Sequence, residues 1–323
     1  MSRSLFDDAE EPSPLVVRLT SRLRSLAERG VNFGTSSWKY EGWLGSIYTP
    51  EHYVTRGKFS RKKFDAECLR EYATIFPVVG GDFSFYRFPS PDDWAAIFAG
   101  APPTLAFGLK VPEYVTVARW PTHARYGVRA GQWNEGFLDA RLFHHEFARL
   151  LEPYRNQVAV MIFEFGQFAK TEIADRGDFL SRLDAFLTAL PPGWRYSIEI
   201  RNPEYLKDDY FELLSRHKVA HCFNAWTRMP TVAEQIALPG AFTANFSVVR
   251  ALLQRGVKYE TAVSSFQPYR DVQKPDESTR SALRQIAERA LHSSEAALIF
   301  VNNRLEGHAP TTIDAIVGSG LGD

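Results

Sequence analysis

Along this chain, short runs of β-branched and aromatic residues alternate with stretches whose apolar positions fall three and four apart. The first pattern is that of buried strands and the second that of amphipathic helices. Leu15, Val16, Leu19, Leu23, Leu26 and Ala27 recur at helical spacing, and Gly30 closes that helix. Ahead of it, residues 1–14 are polar, carry Pro12 and Pro14, and read as a loose tail. Val31–Gly34 forms a first strand that runs into Thr35-Ser-Ser-Trp-Lys-Tyr40 and an aromatic loop through Trp43, Tyr48 and Tyr53. Phe64, Cys68, Leu69, Tyr72, Ile75 and Phe76 make a helical stripe broken by Pro77. Val78–Phe83 is a second strand, in which Gly80 and Gly81 point to a bulge or a close backbone approach.

Ser90-Pro-Asp-Asp93 reads as a helix start, with a capping hydroxyl, proline in the first turn and acids at the positive end. Strand three spans Thr104–Val111, and residues 112–137 form a long excursion rich in Arg, Trp and Gly. Leu138, Leu142, Phe143, Phe147, Leu150 and Leu151 predict one helix, followed by strand four, Val158–Phe163. A helix over 179–190 stops at Pro191-Pro-Gly193, and strand five is Arg195–Ile200. Short helical pieces at 210–214 and 231–237 flank strand six, Val219–Asn224. Strand seven is Ala241–Val249; an excursion over 250–276 and a helix over 277–292 lead to strand eight, Ala297–Val301, and a last helix at 310–317. Eight strands with helical crossovers predict an α/β fold: a single TIM-like (β/α)8 barrel with an N-terminal helix and long loops at its C-terminal face. No composition break or linker divides residues 15–323, so one barrel domain is expected.

Composition narrows the function classes. Lys+Arg and Asp+Glu are both 38, so bulk charge favours neither nucleic acid nor an anionic membrane. The two cysteines, Cys68 and Cys222, are too few for a disulfide framework, lack metal-ligand spacing, and read as buried thiols. The first residues carry no apolar signal core, and no apolar run approaches the roughly 18 residues of a membrane span. A cytoplasmic protein is expected. Walker, GxGxxG, GxSxG and HExxH motifs are missing, so no cofactor or metal is indicated. His144-His145 lies on a predicted helix, where neighbours diverge by about 100°.

In such a barrel the chemistry sits at the C-terminal strand ends. Those ends supply Trp38, Lys39 and Tyr40; Asp82, Ser84 and Tyr86; Lys110; Glu164 and Gln167; Glu199, Arg201 and Asn202; Asn224; Arg250; and Asn302, Asn303 and Arg304. Lys110, Arg201 and Arg250 either form an anion site for phosphate or carboxylate, or pair with Asp82, Glu164 and Glu199 as ion pairs. Glu164 and Glu199 end adjacent strands; they are candidates for acid and base on a glycosidic bond, or are held ionised by the cations. Trp38, Tyr40, Trp43, Tyr86 and Trp226 could stack on a sugar or a base, or serve as core and lid. The loop from Arg119 through Trp133 mixes Arg with aromatics, as single-strand binders do, or is a solvated loop.

Gly34-Thr-Ser-Ser-Trp38 with Trp43, Phe85-Tyr-Arg-Phe-Pro89, Lys110, Glu199-Ile-Arg201, and Asn302-Asn303 with Gly307 together resemble the YecE-like family, domain of unknown function 72. The resemblance runs from about residue 31 to 317. It implies a TIM-like barrel in a bacterial or archaeal cytoplasmic protein, and no established biochemical activity. The chain departs from the family pattern at Gly80 and Asp82, where an acid and then Asn are common. It departs again at Glu164, at Asn202 where His is common, and at Asn224 where Asp is common.

The expectation is therefore a barrel enzyme acting by acid/base chemistry on a small anionic or polyhydroxylated molecule. Glu199 and Glu164 are the candidate catalytic residues. Lys110, Arg201 and Arg250 would hold the anion; Asn224, Asn302 and Asn303 would orient it; Trp38, Tyr40, Tyr86 and Asp82 would complete the pocket. The alternatives are a non-catalytic binding or regulatory barrel and, with least support, a nucleic-acid-processing protein.

Overall fold

Eight parallel strands close into a barrel in the computed structural model, which describes residues 12–318 and 320–322. In chain order they are β1 (Val31–Thr35), β2 (Val78–Gly81), β3 (Ala106–Lys110), β4 (Val158–Phe165), β5 (Tyr196–Ile200), β6 (Ala220–Ala225), β7 (Phe246–Ala251) and β8 (Ala296–Val301). Each pairs with its sequence neighbours, and β8 closes on β1 with Phe33 opposite Ile299. This is the TIM-like barrel that the alternating pattern predicts.

Strand periodicity sorts side chains between two apolar regions. On β4, Met161, Phe163 and Phe165 join the larger core between sheet and helices, while Val160 and Ile162 join Cys222, Phe246, Val248, Leu298 and Phe300 inside the barrel. Phe300 fills the interior only because residue 108 is glycine: a Cβ there would lie 2.3 Å from the Phe300 ring. Likewise a Cβ at Gly34 would lie 1.8 Å from the Val78 carbonyl oxygen, so β1 and β2 meet through a glycine. Gly80 has the close backbone approach expected of it, with Ser36 Cα 3.0 Å from the place a Cβ would take.

The first helix, α1 (Pro14–Glu28), begins one residue earlier than predicted. Ser13 caps it, accepting a hydrogen bond from Val16 N–H and donating one of 2.6 Å to the Ser46 carbonyl. Of the tail expected over 1–14, residues 1–11 lie outside the described residues. The helix α2 spans Arg61–Tyr72, and α3 (Pro91–Gly100) opens with the Ser90 cap and a reciprocal bond from Asp93.

Several element ends shift by a few residues from the expected bounds, and three of the differences stand out. Strand β2 stops at Gly81, leaving Asp82 and Phe83 in the following turn. The single helix expected over 138–151 divides into α5 (Ala140–Glu146) and a 3-10 run over Ala148–Gln157, because Phe147 is non-helical (φ −134°, ψ −70°). Strand β7 begins at Phe246 rather than Ala241: in the preceding segment Thr243 Oγ1 donates to the Val219 carbonyl and accepts from His221 N–H. Side-chain bonding replaces the ladder there.

Both long excursions leave C-terminal strand ends. Residues 112–137 hold the short helix α4 (Glu113–Thr116) and are closed on themselves by Trp120 N–H to Gln132 O and Gly131 N–H to Trp120 O, each 2.9 Å. The crossovers α6 (Arg176–Thr188), α7 (Asp208–Arg216) and α8 (Val232–Ile236) follow β4, β5 and β6. Residues 252–276 hold α9 (Tyr259–Phe266). The chain then passes through α10 (Glu277–Ser293), β8, α11 (Asn303–Glu306) and α12 (Ala309–Ile316). No helix among the described residues is long and apolar enough to cross a membrane.

Candidate functional site

The same period-two alternation that fills the barrel with Val160, Ile162 and Val248 brings Glu164 and Arg250 to its mouth. Glu199, two residues beyond Ser197, and Lys110, two beyond Gly108, arrive the same way. Polar residues thus form the uppermost inward-facing layer. Six charged groups dominate it: Asp82, Lys110, Glu164, Glu199, Arg201 and Arg250.

Glu164 sits at the centre. Its Oε2 accepts from Arg250 Nη1 at 2.6 Å and lies within ion-pair distance of Lys110 Nζ (2.8 Å) and Arg201 Nη2 (2.9 Å). Glu199, wholly buried, is gripped from both sides: Oε1 by Arg201 (Nε 3.1 Å, Nη2 3.0 Å) and Oε2 by Arg250 Nη1. Arg250 Nη2 reaches Asp82 Oδ1 at 3.1 Å, and Lys110 Nζ lies 3.9 Å from the same oxygen. Three cations therefore meet three carboxylates. Only Asp82 is substantially open to solvent, with 42% of its side chain exposed against 8% for Glu164.

Burial acts to raise the Glu164 carboxyl, but Arg201, Lys110 and Arg250 together outweigh it and hold the group well below the usual carboxylate range. Burial acts to lower Arg250, but Glu199, Asp82 and Glu164 more than reverse that, so its guanidinium stays charged. The paired cations also use aromatic faces. Lys110 Nζ lies 3.5 Å from the Phe85 centroid, and Arg201 Cζ lies 3.9 Å from that of Trp226. Beneath the cluster, burial pushes the Cys222 thiol far up, so it is neutral. Both cysteines are free and buried.

Above this cluster is an open cleft of about 480 Å³ whose lining includes Tyr40, Asp82, Tyr86, Asn302 and Tyr259. Two arginines at its wall were not among the candidates for anion binding. Arg304, just after β8, lies 4.7 Å from the Tyr259 ring; among the described residues no carboxylate stands within ion-pair distance of it, and its Nε is buried without a hydrogen-bond partner. Arg125, from the 112–137 excursion, stacks on Tyr86 at 4.4 Å and reaches Glu113 only at 3.8 Å. Burial pushes the Tyr40 hydroxyl up to about 12, opposed by Arg304.

Other expected site residues separate by role. Asn224 reaches the Ile200 carbonyl at 3.3 Å, and its Oδ1 is buried without a partner. Asn302 Oδ1 accepts from Arg304 N–H, which caps α11. Asn303 is buried and accepts from Ala309 N–H at 2.7 Å, joining α11 to α12 and standing outside the cleft lining. Asn202 bonds Phe168 N–H and Glu204. Trp43 has no exposure and belongs to the core, against Tyr48 and His308. Trp38 lines a neighbouring pocket rather than this cleft. Gln167 accepts from Arg228, away from the cleft lining. Among the described residues no group of three or more His, Cys, Asp or Glu is arranged to hold a metal ion.

Comparison with known proteins agrees with the fold. A DUF72 family protein from Thermotoga maritima superposes with a TM-score of 0.58 at 18% identity, over 88% of this chain and 97% of that one. A DUF72 family protein from Enterococcus faecalis gives a TM-score of 0.55 at 14% identity, over 89% and 95%. No curated protein matches. The family model described as "protein of unknown function DUF72" matches residues 32–318, and the chain belongs to that family.

Proposed function

We propose that the barrel mouth binds a small anionic molecule bearing a phosphate or carboxylate, with Arg304 and Arg125 as its positive wall. Arg304 carries this reading: a guanidinium in the cleft wall that, among the described residues, has no carboxylate partner and whose Nε is buried and unpartnered. A buried donor left unpaired is costly, and an anion accepting from it would recover that cost. Lys110, Arg201 and Arg250 are already paired with Glu164, Glu199 and Asp82, so they form the charge-balanced floor of the cleft.

This arrangement shifts the proton-transfer role. A carboxylate held as low as Glu164 is a poor general acid near neutral pH, and Glu199 is walled off beneath two guanidiniums. Asp82 is the accessible carboxylate of the cluster, and we assign it the acid/base role in an enzyme acting on that anion. A second reading, a non-catalytic binding barrel, is favoured by the full ion pairing of Glu164 and Glu199. We also read the protein as cytoplasmic, in keeping with its two free thiols. A nucleic-acid ligand has less support, because Arg119 and Arg129 are engaged with aromatic rings of their own loop.

The test is a thermal-shift screen against phosphorylated, carboxylated and neutral sugar-like metabolites, run with Arg304→Ala and Arg201→Ala. A ligand at a hundredfold excess over Kd stabilises by about 2.7 kcal/mol. A shift confined to anions and lost in Arg304→Ala supports the reading; shifts for neutral compounds alone overturn it. Asp82→Asn then separates the two readings: lost turnover with retained binding marks an enzyme.

A further inference from the structure

A second pocket, about 380 Å³, opens beside the mouth between the loop after β1 and helix α3. Trp38, Phe83, Pro89, Ala96 and Ile97 give it a largely apolar lining. The pocket shares Ser37 and Asp82 with the cleft above the ion cluster, so the two spaces meet along one edge. Its wall is braced. Trp38 and Phe83 pack edge to face with centroids 6.2 Å apart, and Phe83 rests on the fully buried Trp94 at 5.9 Å. At the outer rim, Arg87 pairs with Asp93 at 2.6 Å, and Asp93 also closes the cap of α3. Gly80 also lines it, packed so closely on the Ser36 backbone that there is no room for a Cβ.

One polar group in this apolar wall is unused. The indole Nε1 of Trp38 is buried and has no acceptor. Buried Trp N–H groups ordinarily find a partner. An edge-to-face aromatic wall with a free donor suits a flat ring carrying a hydrogen-bond acceptor.

We propose that the ligand is an aromatic or heteroaromatic anion, its phosphate or carboxylate at the mouth and its ring in the pocket of Trp38, Phe83 and Ile97, with Asp82 at the junction. This rests on the anion reading above and adds to it the class of the rest of the molecule. The adjoining pockets account for the position of Asp82: a carboxylate between an anion subsite and a ring subsite faces the bonds that join the two parts.

The experiment compares ligands sharing an anion and differing only in the ring: methyl phosphate against phenyl phosphate, and acetate against phenylacetate, by isothermal titration. Burying a phenyl ring predicts at least about a tenfold tighter Kd for the aryl member of one pair. Trp38→Ala should collapse that ratio toward one. So should Ala96→Trp, which fills the pocket from an exposed helical position and carries little folding risk. Equal affinities within both pairs in the wild type would overturn this inference while leaving the anion site standing. An aryl advantage that survives both variants would move the ring elsewhere and overturn it too. If neither member of either pair binds, the anion reading fails and this one falls with it.

Discussion

Arg250→Ala removes the cation that touches all three carboxylates of the mouth. The bonds lost are to Glu164 Oε2 (2.6 Å), to Glu199 Oε2 and to Asp82 Oδ1 (3.1 Å). Glu164 keeps Lys110 and Arg201, but Glu199 keeps only Arg201, on its other oxygen. A wholly buried carboxylate oxygen is then bare, and three acids face two cations. Breaking a buried pair from one side costs about 3–5 kcal/mol. The exposed Asp82 adds little to that figure. At roughly 2–4 °C per kcal/mol, with a long chain near the lower end, Tm should fall by about 6–12 °C. Urea unfolding at pH 7 and calorimetry both read this. The companion Glu199→Gln/Arg250→Met removes both charges and should recover most of the loss, because uncharged replacements of similar volume are often neutral. A loss below about 1 kcal/mol for Arg250→Ala, the scale of a solvated pair, would refute the buried-cluster argument.

Gly34→Ala should be strongly destabilising, toward or beyond the upper end of the about 1–3 kcal/mol usual for overpacking, because the atom its Cβ meets is the Val78 backbone oxygen; the urea midpoint measures it. Glu306→Ala should cost about 3–5 kcal/mol, since it strips Arg280 (2.7 Å) of its buried partner and also leaves the Asp276 N–H unpaired; a midpoint within error of the wild type would contradict this. Stability should decline as pH falls from 6.5 toward 4. Burial lowers His221 and His308 from 6.5 to about 4, so over that window the unfolded chain takes up protons that the folded chain refuses. Glu164, lowered from 4.5, adds a loss of the same sign below that pH. Urea unfolding across the range should show this slope, and His221→Asn should flatten it.

Most of the barrel was readable because its strands carry two signals at once. A run such as Val158–Phe165 is apolar on both faces, which marks a strand buried between helices and barrel interior. Boundaries failed where side chains took over backbone work. Thr243 bonds the neighbouring strand with its hydroxyl, and nothing in the apolar pattern of 241–249 distinguishes that from a ladder. Phe147 interrupts a helix whose apolar spacing continues through it. At the site, strand-end parity located Glu164, Glu199, Lys110 and Arg250, and Glu199 with Arg201 by their shared face. It could not say which cations would be spent on which acids, since that depends on contacts between β2, β3, β4, β5 and β7. Arg304 stands two residues after Asn302, but β8 has ended and α11 begun, so strand parity no longer applies. Tyr259 and Arg125 come from the two excursions, where spacing carries no directional information. Of the two uses open to Trp43, stacking in the mouth or core, the structure selects core; a loop tryptophan next to a strand end looks the same in sequence whether it lines a cleft or, as here, seals the core.

The central claim is that an anion binds at Arg304. The most direct measurement is the Kd of inorganic phosphate, by isothermal titration at low ionic strength, for the wild type, Arg304→Ala and Arg155→Ala. Arg155 stacks on Trp194, in the loop that precedes β5, remote from the mouth. Hydrogen bonds to charged groups predict a loss of about tenfold or more in Arg304→Ala, with Arg155→Ala matching the wild type. Wild-type protein that binds no phosphate, or an Arg304→Ala variant that binds it as tightly, would contradict the claim.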